Sequence, residues 1–251
     1  MASARSTVKR LLVSPAAGGV RCLATSAARQ SAGAPPAPKY YELRTYDIKQ
    51  SKWDEFVRLT TEKIHMRFAA SKCNVYLCAD PGPEPRRRPF NEVTHIWEYD
   101  DLVQRAGVRK SLGSDKQWLA DYLLPMLDTA AAHQSNSVML PAPWWPLRPS
   151  TDGRNHFAVR KTQLHPGKTG AWSEAVKDEL AGEGDNAPLG VWVTDIGDLD
   201  SVHELYSYPS HTALVEHQQH RDREAVKFDG TLIKERRWSA YVLAPWSTWS
   251  V

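Results

Sequence analysis

The strongest constraint on this chain is a repeat. Residues 41–144 read as strand, helix, strand, strand, helix, strand, and the strand segments return in the same order between residues 157 and 246. Tyr41–Ile48 (YELRTYDI) aligns with Phe157–Leu164 (FAVRKTQL), which puts Arg160 in the place of Arg44. Trp172 falls where Phe56 falls, and Leu189–Ile196 matches Cys73–Ala79 with Trp192 at the place of Tyr76. Val202–Tyr208 matches Val93–Tyr99, with Glu204 standing where the first copy has His95. Tyr241–Trp246 matches Met139–Trp144, and both end in Pro-Trp. Short alternating segments rich in Val, Ile, Thr and aromatics read as strands, because alternate side chains of a strand share a face.

The segments between them complete the pattern. Trp53, Phe56, Val57, Thr60 and Ile64 recur at helical spacing, and Ser51 stands where a cap is expected. Residues 80–90 (DPGPEPRRRPF) hold four prolines and a glycine and predict an exposed hairpin loop. Asp100 or Asp101 starts a helix that Gly113 interrupts, and Pro125 forces a kink in the next helical piece, residues 114–131. Ser135–Leu140 is the fourth strand, and Trp145–Asn155 a linker rich in Pro and Gly. Two βαββαβ halves predict an α+β chain of two ferredoxin-like sheets. Each sheet covers one face with helices and must bury the other. Pressing the free faces together gives a single-chain dimeric α+β barrel, with residues 1–39 as a leader and terminus, 40–145 as one repeat and 156–251 as the other.

Charge narrows the function classes. The net charge of +3 is unevenly spread: residues 1–41 hold no Asp or Glu but carry Arg5, Lys9, Arg10, Arg21, Arg29 and Lys39. The body without them is slightly acidic, so no nucleic-acid partner is expected, since that requires basic residues clustered on the folded domain. Cys22, Cys73 and Cys78 form no disulfide framework and no common zinc spacing. No apolar run reaches the roughly 18 residues that span a bilayer. The leader, rich in Ala, Ser and Arg, fits a mitochondrial transit peptide, with cuts after Cys22 and then Gln30 and a matrix destination. The other reading of the same residues is a disordered basic tail, which leaves a cytosolic fraction.

Three stretches carry a family resemblance: YELRTYDIK at the first strand, THIWEYDDLVQRAGVRKSL at the third strand and its helix, and DKQWLADYLLPML after it. They resemble the NipSnap family, most nearly its third subgroup, over about Tyr40 to Trp246. The resemblance implies a dimeric α+β barrel and a mostly mitochondrial location. It also implies protein partners in vesicle handling or mitophagy, where members recruit autophagy receptors. It brings no agreed catalytic residues and no cofactor.

Six residues are candidates for a ligand site, read as pointing into the barrel: Arg44, Arg160, His95, Glu204, Tyr46 and Trp97. Two arginines at equivalent places can bind an anionic or carbonyl-bearing ligand from two sides, and His95 can act as a base near neutral pH. The other reading pairs Arg44 and Arg160 with Glu42, Glu204 or other carboxylates inside a solid core. A one-residue slip of strand phase would swap the inward and outward sets. His217 and His220, three apart with His211 nearby, are expected on a solvated helix face rather than as metal ligands. Arg86, Arg87 and Arg88 offer a peripheral contact with anionic lipid. Tyr40–Leu43 and Phe56–Leu59 have the form of receptor-docking motifs, and Trp144, Trp145, Trp246 and Trp249 are expected to plug the barrel ends. Two functions follow: an interaction module in mitochondrial quality control or trafficking, or a small-ligand-binding or cofactor-free oxygenase- or isomerase-type enzyme of the dimeric α+β barrel class.

Overall fold

The computed structural model describes residues 37–79, 91–148, 153–225 and 230–247. Eight strands form one sheet: β1 (Tyr40–Ile48), β2 (Lys72–Ala79), β3 (Glu92–Tyr99), β4 (Ala130–Pro141), β5 (His156–Leu164), β6 (Gly190–Ile196), β7 (Ser201–Tyr208) and β8 (Ile233–Leu243). They close into a barrel in the order β1-β3-β2-β8-β5-β7-β6-β4, with antiparallel neighbours throughout. Each half keeps the ferredoxin-like order 4-1-3-2, and the halves join where β2 meets β8 and β4 meets β6. Closure removes the free edges that two separate sheets would expose. The expected α+β fold of two ferredoxin-like repeats in one barrel is therefore the observed one.

Helices α1 (Trp53–Lys63), α2 (His65–Ala70), α3 (Leu102–Ser114), α4 (Lys116–Trp118) and α5 (Leu124–Thr129) follow the strands of the first half, and α6 (Thr169–Ala181) and α7 (His211–Ala225) those of the second. Asp101 caps α3: its carboxylate accepts from the Gln104 amide at 2.6 Å, and the Gln104 side chain reaches back to the Asp100 amide. Ser51 does not cap α1. A short 3₁₀ turn, Gln50–Lys52, leads into that helix, which makes Lys52 the cap position, with no side-chain bond. The kink expected at Pro125 appears as a π-helical turn, Leu119–Leu123, between α4 and α5. The proline has no N–H for the carbonyl one turn back, and the wider turn ahead of it takes up the misfit.

Three layers of side chains follow from the period of two. Tyr41, Leu43, Val75, Leu77, Ile96, Met139, Phe157, Val159, Trp192, Leu205 and Tyr241 come from every strand and pack on one another with no helical residue among them. They fill the barrel, as eight strands leave an interior just wide enough for side chains. Tyr46, Ile48, Tyr76, Val93 and Trp97 point the other way and pack under Phe56, Leu59, Trp118, Tyr122 and Met126 of the first-half helices. In the second half, Leu164, Val191 and Val202 meet Trp172, Val176 and Leu180 of α6, while Tyr206 and Tyr208 meet Leu214 of α7.

The two Pro-Trp ends do not plug the barrel. Each crosses to the helix–sheet layer of the other half, where Trp246 lies edge-on to Phe56 and Tyr76, and Trp144 lies 6.0 Å from Trp172 between ring centres. The Ala244 amide donates to the Tyr76 carbonyl, and the Ala142 amide to the Val191 carbonyl. This exchange corrects one alignment: Val191, not Trp192, is the counterpart of Tyr76. A bulge in β2 between Cys73 and Val75 shifts the phase by one residue, so Tyr76 faces the helices and Trp192 faces the barrel, against Tyr41. Trp249, the loop 80–90 with its three arginines, and the leader with Cys22 lie outside the described residues. Cys73 and Cys78 are buried thiols, not joined in a disulfide, whose pKa burial pushes up to about 12, which disfavours the reactive thiolate.

Candidate functional site

The phase slip that the sequence left open has occurred. Arg44, Tyr46, His95 and Trp97 lie on the helix side of the first-half sheet, and Arg160 and Glu204 on the helix side of the second. None points into the barrel. Register sets Arg44 opposite His95 and Arg160 opposite Glu204, so the structure brings the six together as two separate, equivalent places rather than one.

The second-half place is closed by its own charges. Nη2 of Arg160 donates to Glu204 Oε1 at 2.7 Å, and Nε donates to the other oxygen. Both side chains are about 1% exposed. Burial pushes the Glu204 carboxyl up, but the charge and hydrogen bonds of Arg160 outweigh it and hold the group below the usual carboxylate range. The arginine also lies over the Tyr206 and Trp238 rings. Beside it, the Tyr208 hydroxyl and His217 Nδ1 are 2.7 Å apart, His217 Nε2 is 3.3 Å from Glu183, and Arg221 pairs with Glu183 and Glu179. His217 is therefore a buried member of this network rather than part of a solvated face, while His220 is exposed. Among the described residues no three His, Cys, Asp or Glu side chains converge as metal ligands.

The first-half place is built differently. Sequence reasoning missed its second row. Glu42, fully buried on β1, accepts from Arg105 (2.8 Å) and Arg109 (3.2 Å) of α3, Asn136 of β4 (2.8 Å) and the Tyr99 hydroxyl (3.1 Å). Burial raises its pKa, but the Arg105 hydrogen bond, the Arg44 and Arg105 charges and Asn136 together hold it below the ordinary value. Arg67 of α2 is 5% exposed, donates to the Tyr99 and Ser71 hydroxyls, and lies 3.9 Å from the Trp97 ring centre. Arg44 lies over the Tyr46 ring at 5.3 Å. It makes no salt bridge and no side-chain hydrogen bond among the described residues. Of these four arginines, Arg105 and Arg109 engage Glu42 directly, and Arg67 reaches it through the Tyr99 hydroxyl. α3 buries none of its residues, and Arg109 is half-exposed, so the α3 edge of this layer reaches solvent while Glu42, Tyr46, His95 and Trp97 stay buried.

His95 is a donor here rather than a base. Its Nδ1 accepts from the Trp97 indole N–H, which in a neutral ring leaves the proton on Nε2. Burial, with Arg44 and Arg67 nearby, holds its pKa well below 6.5, so the ring is neutral at physiological pH. Tyr76 stacks on it at 4.5 Å, and Trp246 from the other half packs edge-on to Tyr76. The docking-type segments are not available as surface motifs: Tyr41, Leu43, Phe56 and Leu59 are all buried.

The fold and this layer define the class: a dimeric α+β barrel contained in one chain, with a polar place between sheet and helices in each half. A "putative monooxygenase" of Lactobacillus acidophilus shares the fold, with a TM-score of 0.54 at 14% identity over 82% of this chain and 93% of that one. One from Fusobacterium nucleatum does so with a TM-score of 0.55 at 10% identity over 83% and 93%. The sequence model of the NIPSNAP family matches residues 41–146 and again 157–248. The human protein NipSnap homolog 3A is 32% identical over 193 residues, 74% of this chain and 75% of the relative. The chain belongs to the NIPSNAP family.

Proposed function

We propose that the chain binds, and turns over, a small anionic or carbonyl-bearing molecule in the first-half helix–sheet layer, as a cofactor-free oxygenase- or isomerase-type protein of its barrel class. The observation that carries this reading is Arg44: a half-buried guanidinium beside a neutral His95 Nε2–H donor, near the Glu42 charge but with no salt bridge or side-chain hydrogen bond among the described residues. Two such donors suit a carbonyl oxygen on which negative charge develops, a demand common to enolisation and to oxygenation of an activated carbon. The monooxygenase description of two proteins with this fold supports the class of reaction, and the residues here support the place. The leader supports action in the mitochondrial matrix.

Native mass spectrometry of the mature chain, purified without refolding, tests this. The expected result is an extra mass that leaves on denaturation and is absent from Arg44→Ala with the fold intact. A clean apo mass in every preparation would overturn the ligand reading. That outcome would favour the other one, an adaptor in mitochondrial quality control or trafficking, for which Val103 of α3 (79% exposed) and Leu124 of α5 (60%) supply exposed apolar contacts.

A further inference from the structure

The duplicated site supplies an internal template for its ligand. Arg160 and Arg44 hold the same register position in the two halves. In the second half, the cross-strand neighbour is Glu204, whose two oxygens engage two nitrogens of the guanidinium, the forked geometry in which arginine recognises carboxylates. In the first half, that neighbour is His95, which is neutral and supplies no carboxylate to Arg44. Glu42, the acid of this layer among the described residues, has both oxygens engaged by Arg105, Arg109, Asn136 and Tyr99. Arg67 adds a buried guanidinium that ends on hydroxyls and an indole face. Among the described residues no carboxylate engages Arg44 by salt bridge or hydrogen bond, whereas its counterpart Arg160 is fully paired.

Resting on the reading that the first-half layer holds a ligand, we infer that Glu204 occupies in the second half the position that a ligand carboxylate takes in the first. The protein therefore binds one small carboxylate per chain, on Arg44, with the second copy of the site permanently filled by the chain itself. The Tyr46 ring under Arg44, with Tyr76 and Trp97 in the same layer, favours a flat, unsaturated carboxylate over an aliphatic one. His95 donates to the same ligand, and Trp246 makes the wall depend on the other half.

Calorimetric titration with benzoate, and with neutral benzamide of the same shape, tests this. The full-length mature chain is expected to take one benzoate, with benzamide at least about tenfold weaker. Arg44→Ala weakens benzoate by about tenfold to a hundredfold. His95→Glu rebuilds the Arg160–Glu204 arrangement in the first half and abolishes binding. Should His95→Glu fail to fold, Arg44→Gln takes its place and is expected to match Arg44→Ala. Equal affinity for benzamide would overturn the carboxylate class and leave a ligand site standing. Parental benzoate binding in folded His95→Glu or in Arg44→Ala, or two benzoates per chain, would overturn the template argument. If neither probe binds, the inference fails, and the native mass then shows whether the ligand site fails with it: a co-purifying mass keeps the site, an apo mass does not.

Discussion

Glu204→Ala is expected to lower the thermal midpoint by about 10 °C. The substitution leaves the Arg160 guanidinium in place, about 1% exposed and stripped of its partner. Breaking one side of a buried pair costs roughly 3–5 kcal/mol, because the remaining charge is desolvated with nothing to offset it. In a chain of this size each kcal/mol moves the midpoint by about 2–4 °C. Replacing both members by apolar residues of similar volume, Arg160→Met with Glu204→Leu, removes the charge and the defect together and is expected to return most of the loss. Asp198→Ala, which breaks the exposed pair with Lys161, is the control and should cost under about 1 kcal/mol. The contrast comes from burial alone, since the charges are alike. A single variant no worse than the double, by scanning calorimetry, would show that the pair is not desolvated.

The second large effect is a loss of stability in mild acid. His95 in the first-half layer and His203, on the barrel face of β7 beside Leu205, are both buried and both hard to protonate. Burial is the main cause in each, reinforced by Arg44 and Arg67 at His95 and by Lys161 at His203, whose pKa falls to about 3. In the unfolded chain both return to about 6.5. Above that value neither state holds the protons, and the contribution is constant. As pH falls below 6.5, the unfolded chain takes up a proton at each ring while the folded chain does not, so stability falls with pH. Each histidine contributes about 1.4 kcal/mol per pH unit, roughly 2.7 for the two together. Below about pH 4.5 the depressed carboxyls Glu42, Glu98 and Glu204 add their own loss in the same direction. The checking measurement is the urea midpoint between pH 6.5 and 4.5, in the parent and in His95→Gln/His203→Gln. The parent should fall steeply and the double variant only slightly. A parent midpoint flat over that window would contradict the buried, neutral histidines.

The barrel was legible because duplication and period two are both properties of sequence. Once Tyr41–Ile48 and Phe157–Leu164 are seen as copies, two ferredoxin-like sheets follow, and each needs its second face covered. Which face is which was not legible. On β1 the set Tyr41, Leu43 and the set Tyr46, Ile48 are equally apolar, and on β3 Ile96 and Trp97 are adjacent, so alternation defines two sets without saying which meets the helices. A usable signal was present on β1, where the set with Tyr46 carries Glu42 and Arg44 while Tyr41, Leu43 and Thr45 opposite are uncharged, which suits the latter to a filled interior. The bulge at Cys73–Val75 hid the true partner of Tyr76, because aligning aromatic to aromatic looks better than the register the backbone adopts. The Glu42 cluster was beyond reach for another reason. It joins residues 63, 67 and 94 positions apart, from two strands and a helix, and nothing local in the sequence connects them. The crossing of Trp144 and Trp246 into the opposite halves likewise depends on barrel closure, not on either repeat alone.

A ligand on Arg44 would sit on the helix side of the first-half sheet rather than inside the barrel. A crystal structure of the mature chain soaked with benzoate tests it most directly. Density is expected for one molecule beneath α3, its carboxylate within hydrogen-bond distance of the Arg44 guanidinium and its ring against Tyr46 or Trp97, with Arg160 still held by Glu204. Density within the barrel against Tyr41 and Trp192, or on Arg160 with Glu204 displaced, would contradict it.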